Sequence, residues 1–184
     1  MLRTFIAVKI AQTPGLRRLH AQLAELGDRF RPAPLSNLHV TLKFLGETAE
    51  SQISGIGEIA ELITQGRPRF HVELVGLGAF PDDRRPSVIW VGLNPAEPLC
   101  QLATGLECAL VPLGFSRDGR AFQPHLTMLR VKSRPPEALF TLLAAEAQTD
   151  FGMVEISHVE LIESELARGG SRYTTLAKYA LGQA

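Results

Sequence analysis

Two short segments of this chain carry the residue types that acid–base chemistry needs, in the same order. Asn37-Leu38-His39-Val40-Thr41-Leu42-Lys43 and Gln123-Pro124-His125-Leu126-Thr127-Met128-Leu129 both read histidine, apolar, threonine, apolar. The two histidines stand 86 positions apart (39 to 125), nearly half of the 184-residue chain. In a strand, side chains at i and i+2 share a face, so His39 joins Thr41 and His125 joins Thr127. Val40, Leu42, Leu126 and Met128 then turn to the opposite, buried side. If the two strands meet at a cleft, two imidazoles and two hydroxyls converge there. A neutral imidazole takes a proton from a nucleophile, and a protonated one gives a proton to a leaving oxygen. Unperturbed pKa values near 6.5 make both states accessible around neutrality. Threonine hydroxyls are short, stiff donors suited to the non-bridging oxygens of a phosphate. Such a site requires no metal, no cofactor and no nucleophilic Cys or Ser. One copy of the pattern would be a weak signal, since a histidine at a strand end can simply bond the backbone. Two copies in matched context, one per half, point to catalysis and to two lobes related by a pseudo-twofold axis.

The elements that must position these residues follow from periodicity and from Pro and Gly punctuation. Strands are expected over 3–10, 38–45, 70–80, 88–93, 125–131, 154–162 and 174–181. Helices are expected over 49–65, 97–113 and 136–147, and one more begins at Thr13-Pro14, a cap residue followed by proline. In that first helix Leu16, Leu19, Leu23 and Leu26 form the apolar stripe, and Gly27 ends it. Residues 31–34, 114–123 and 167–171 read as loops. Pairs of strands alternate with helices, and no linker divides the chain, so residues 1–184 are expected to form one α+β or α/β domain built from two similar lobes.

Composition sets wider bounds. Nineteen basic residues balance nineteen acidic ones, and 45% of the chain is hydrophobic. That excludes a disordered chain and a protein that coats nucleic acid through charge alone. No apolar run approaches the roughly 20 residues of a membrane span. Cys100 and Cys108 sit in one expected helix, where eight residues rise roughly 12 Å, too far for a disulfide. A reduced, cytoplasmic protein is the expectation.

The residues quoted above, extended through Phe44-Leu45-Gly46-Glu47 and Arg130-Val131, resemble the motifs of the 2H phosphoesterases. The closest likeness is to the RNA 2′,3′-cyclic phosphodiesterase branch, also called 2′-5′ RNA ligase-like. Arg3-Thr4-Phe5-Ile6-Ala7-Val8, Gly76-Leu77-Gly78-Ala79-Phe80-Pro81, Ile162-Glu163-Ser164-Glu165-Leu166 and Gly170-Ser171-Arg172-Tyr173 extend it over nearly the whole chain. The resemblance implies a bilobal α+β fold with both motifs in a central cleft. It implies a partner, an RNA 3′ end or nucleotide carrying a 2′,3′-cyclic phosphate, which is opened to a 2′-phosphate. His125 would activate water as proton acceptor, His39 would be the proton donor, and Thr41 and Thr127 would hold the phosphate oxygens. Run with a ribose hydroxyl as nucleophile, the same logic is 2′-5′ ligation. Met128, where leucine is more usual, faces the core and leaves the chemistry untouched.

Other candidates are less sharply drawn. Lys43 is in phase with His39 and Thr41 and would face the cleft or sit solvated on its rim. Arg130 matches the family's basic residue after the second motif, but strand parity sets it away from His125 unless a bulge intervenes. Arg117, Arg120, Arg130, Lys132 and Arg134 form a local basic stretch suited to an RNA backbone or to plain solvation. Tyr173, in a loop near the cleft, and Phe122 are candidates for stacking on a base, whereas Phe44 and Phe80 favour the core. His20, His71 and His158 lack a matched threonine and read as structural. Two other functions keep the same cleft: a cyclic phosphodiesterase acting on small nucleotides, and an RNA-end binder without turnover. A monomer is expected.

Overall fold

A computed structural model describes residues 1–167 and 170–182. The strands are β1 (Leu2–Lys9), β2 (His39–Thr48), β3 (Phe70–Phe80), β4 (Val88–Asn94), β5 (His125–Arg130), β6 (Asp150–Ile156), β7 (His158–Ala167) and β8 (Gly170–Ala180). The helices are α1 (Pro14–Ala24), α2 (Ile53–Thr64), α3 (Glu97–Ala109) and α4 (Glu137–Ala145). They build an α+β fold from two four-stranded antiparallel sheets, ordered β2-β1-β7-β8 and β5-β4-β3-β6. Each motif strand is therefore an edge strand, and β2 and β5 run alongside each other between the sheets.

The lobes are not the two halves of the sequence. The first sheet takes β1 and β2 from one half and β7 and β8 from the other. Helix α1, which precedes β2, packs on β6 of the second sheet, whereas α3, which precedes β5, packs on β2 of the first. Thr13 shows how α1 is fixed. Its hydroxyl accepts from the Leu16 N–H as an N-cap and donates to the Phe151 carbonyl of β6. Gly15 lets the helix approach so closely that a Cβ there would lie 2.5 Å from that carbonyl oxygen. Leu16, Leu19 and Leu23 are wholly buried, so the stripe read from the sequence is the face that packs. Each such leucine is worth about 1.5–3 kcal/mol of burial.

The stretch expected as one strand over 154–162 is two strands in different sheets. Ser157 separates β6 from β7, and the chain passes there from the second sheet back to the first. The apolar phase slips at Ser157-His158, from Val154 and Ile156 to Val159 and Leu161, and that slip marks the crossing. The loop expected at 167–171 is also different. Arg168 and Gly169 lie outside the described residues, but β8 already begins at Gly170, so Tyr173 stands on a strand. The 31–34 segment is a loop with a job. Pro32 bridges Leu129, and the Ala33 N–H donates to the Met128 carbonyl at 2.7 Å, strapping the free edge of β5. Among the described residues, no helix is long and apolar enough to cross a membrane.

Candidate active site

Both motif strands carry a β-bulge at the same place, and the bulge decides what faces the cleft. On β2, Ala7 pairs with Thr41 and Ile6 with Lys43, so Leu42 is the extra residue. On β5, Trp90 pairs with Thr127 and Ile89 with Leu129, so Met128 is the extra one. A bulge shifts the alternation by one residue. His39 and Thr41 remain half-buried on the cleft side, but Leu42 and Lys43 are both buried and Phe44 emerges instead. Likewise Met128 and Leu129 are both buried and Arg130 emerges beside His125 and Thr127.

Lys43 therefore leaves the cleft. Only 6% of it is exposed. Its ammonium donates to both carboxylate oxygens of Glu107 at 2.8 Å and to the Ser116 carbonyl at 2.6 Å. The lysine fastens β2 to α3, so the expectation of a substrate contact from Lys43 gives way to a structural ion pair. Phe44, expected in the core, is 70% exposed, while Arg130 is turned inward to where its charge bears on His39.

The two imidazoles are oriented alike. His39 Nδ1 donates to the Asn37 carbonyl at 2.6 Å, and His125 Nδ1 donates to the Gln123 carbonyl at 2.8 Å. A carbonyl can only accept, so each neutral ring carries its proton on Nδ1 and leaves Nε2 as a free acceptor. The rings are packed differently. Phe5 lies 5.0 Å and Tyr173 5.2 Å from His39, whereas Phe80 stands edge-on to His125 at 5.0 Å and itself packs on Trp90. Burial pushes the His39 pKa below its ordinary 6.5, against the Asn37 carbonyl that favours the cation. Repulsion from Arg130, Lys9 and His125 pushes the same way, so the two histidines are electrically coupled across the cleft.

A pocket of about 250 Å³ opens beside His39, lined by Lys9, Ser36, Asn37, His39, Ile162 and Tyr173. Among the described residues, no three His, Cys, Asp or Glu side chains gather as a metal-ligand group. Of the remaining basic stretch, Arg117 donates to the Cys108 sulfur and Arg120 pairs with Asp118, both on the surface. His158 bonds Ser157, and the two cysteines are free thiols. Phe5 and Lys9 escaped sequence reasoning, because a strand reading of 3–10 does not say which register sets them against His39.

The chain matches the description "LigT like Phosphoesterase" twice, over residues 8–90 and again over 91–173. It belongs to that family. The chain is 39% identical to an RNA 2′,3′-cyclic phosphodiesterase of Aeropyrum pernix, over 88% of this chain and 92% of the relative. It is 31% identical to one of Methanothermobacter thermautotrophicus, over 98% and 99%. A crystal structure from Thermus thermophilus superposes with a TM-score of 0.85 at 26% identity, covering 99% of each chain. That of E. coli LigT complexed with 3′-AMP does so with 0.73 at 29%, again over 99% of each. Each matched segment supplies strands to both sheets, β2 and β3 from the first and β5, β6 and β7 from the second, so the duplication in the phosphoesterase sequence is interleaved through the fold rather than laid out as successive lobes.

Proposed function

We propose that this phosphoesterase opens 2′,3′-cyclic phosphates at RNA 3′ ends to 2′-phosphomonoesters by two-histidine acid–base catalysis. The observation that carries the reading is the paired geometry: two imidazoles with Nδ1 tied to a carbonyl two residues back, each beside a threonine, on facing edge strands. His125 Nε2 takes a proton from water as the water oxygen attacks phosphorus. The P–O3′ bond breaks, and His39 gives its proton to the departing 3′ oxygen. Thr41 and Thr127 donate to the non-bridging oxygens, and Arg130 adds positive charge where negative charge accumulates. The relatives named as RNA 2′,3′-cyclic phosphodiesterases support the substrate class. Both proton transfers that accompany P–O bond making and breaking occur at imidazole nitrogen, so hydrolysis of nucleoside 2′,3′-cyclic phosphates is expected to persist in EDTA. Loss of turnover on chelation would overturn the scheme.

The lowered pKa of His39 shapes the pH dependence. As the acid, His39 must hold a proton, and in the free enzyme it gives that proton up below pH 6.5. An anionic phosphate beside it favours the cation and raises the pKa again. Since kcat/KM reports the free enzyme and kcat the complex, the alkaline limb of kcat is expected at higher pH than that of kcat/KM. Coincident limbs, or a flat profile from about pH 5 to 9, would contradict the assignment.

A further inference from the structure

The cleft faces of the two sheets are alike at the motifs and unlike beside them. Residues paired directly across an antiparallel ladder project to the same side. The partner of His39 is Lys9, and two residues back along β1 Ala7 pairs with Glu160, which pairs in turn with Lys178. His39, Lys9, Glu160 and Lys178 therefore share one face. In the second sheet the partner of His125 is Gly92, and Trp90 pairs with Gly78. Trp90 lies flat over Gly78, where a Cβ would come within 2.5 Å of the indole. Apart from Arg130 at its motif, the wall of the second sheet is aromatic, whereas the wall of the first sheet adds lysines to Phe5 and Tyr173.

Those lysines are held in place. Glu160 is 4% exposed. Lys9 reaches it at 3.5 Å and Lys178 at 3.3 Å, and the Thr175 hydroxyl donates to it at 2.8 Å. Burial alone would raise its pKa, but Thr175 and the two lysines outweigh burial and hold it below the ordinary value, so it stays ionised. One carboxylate serves two ammonium groups, which leaves the cluster with a net positive charge. Lys9 also lines the pocket beside His39 and keeps 47% of its side chain exposed. A structural role for Glu160 would be met by one lysine; the second leaves charge to spare at the pocket wall.

We propose that Lys9, positioned by Glu160 with Lys178, binds a phosphate on the 5′ side of the terminal ribose, so that the preferred substrate is an oligonucleotide end and not a nucleoside cyclic phosphate. The proposal rests on the cyclic phosphodiesterase reading of the cleft. A terminal nucleotide seated with its cyclic phosphate between the histidines needs its next charge answered nearby, and Lys9 is the directly opposed neighbour of His39.

The test compares adenosine 2′,3′-cyclic phosphate, its 5′-phosphorylated form and a dinucleotide ending in the cyclic phosphate, on the wild type, Lys9→Met, Lys9→Arg and Lys178→Met. The wild type is expected to favour both 5′-phosphorylated substrates by about tenfold in kcat/KM, chiefly through KM, the value of one charge-assisted contact. Lys9→Met brings the ratio toward one, Lys9→Arg keeps most of it, Lys178→Met lowers it, and added salt erodes it in proportion to the phosphate engaged. A wild-type ratio near one, or a ratio that survives Lys9→Met, overturns the proposal. An advantage confined to the dinucleotide and insensitive to Lys9 assigns it to stacking on the aromatic wall and also overturns it. Fluorescence of the single tryptophan, Trp90, titrated with 3′-AMP and with its 5′-phosphorylated form, makes the same comparison without turnover. Failure of the hydrolytic reading is then distinguishable from failure of the phosphate site.

Discussion

His125→Ala and His39→Ala are each expected to lower turnover of a 2′,3′-cyclic phosphate by about 10²–10⁴-fold, the usual contribution of a general acid or base. Neither ring holds the fold together. Each is half-buried at the first residue of an edge strand, and its bond to the protein is one Nδ1 contact to a carbonyl two residues back. The loss should therefore fall on kcat rather than on stability. The two roles separate by leaving group. The aryloxide of an aryl phosphodiester departs without needing a proton, so such a substrate should recover most of the rate in His39→Ala and little in His125→Ala. Recovery in His125→Ala instead would exchange the roles. A near-normal rate in either variant, on the cyclic substrate, would remove that residue from the mechanism.

Lys43→Met is expected to damage stability heavily while leaving the chemistry alone. The Lys43 side chain is 5% exposed and its partner Glu107 20%, with two contacts of 2.8 Å between them. Removing one member of a buried pair strands the other charge at a cost of about 3–5 kcal/mol. Glu107 keeps some contact with solvent, so a value near the lower end, about 3 kcal/mol, is expected. For a chain of this size that corresponds to a fall in Tm of about 6–12 °C. Lys43→Met with Glu107→Leu should recover much of the loss, because a well-packed apolar pair replaces a desolvated ionic one. A shift in KM for cyclic nucleotides with Tm unchanged would return Lys43 to the cleft and contradict the bulge at Leu42.

The strands and helices that the sequence announces are those with clean periodicity. The β3 span agrees with its expected 70–80, and the leucine stripe of α1 is the packed face. The repeated His-apolar-Thr pattern correctly marks the two strands that meet between the sheets. What the sequence hides is register. Leu42 is an inserted residue, yet the polar Lys43 after it preserves the look of alternation, so Phe44 reads as core and Lys43 as cleft. The second motif does carry a trace: Met128-Leu129 is an apolar pair where alternation calls for one polar residue, and it marks the bulge that brings Arg130 inward. Strand parity without a bulge sends Arg130 the other way. Tyr173 and Phe5 reach His39 only through long-range pairing of β8, β7 and β1, which no local window contains. The passage from β6 to β7 does leave a local trace, the phase slip at Ser157-His158.

The regiochemistry of one turnover bears most directly on the two-histidine reading. An RNA oligonucleotide ending in a 2′,3′-cyclic phosphate is incubated with the protein in EDTA and ¹⁸O-labelled water, and the product is read by ³¹P NMR and mass spectrometry. Attack by His125-activated water with departure of the 3′ oxygen predicts a 2′-phosphomonoester carrying a single ¹⁸O. A 3′-phosphate, a mixture of the two, or an unreacted cyclic end would contradict it.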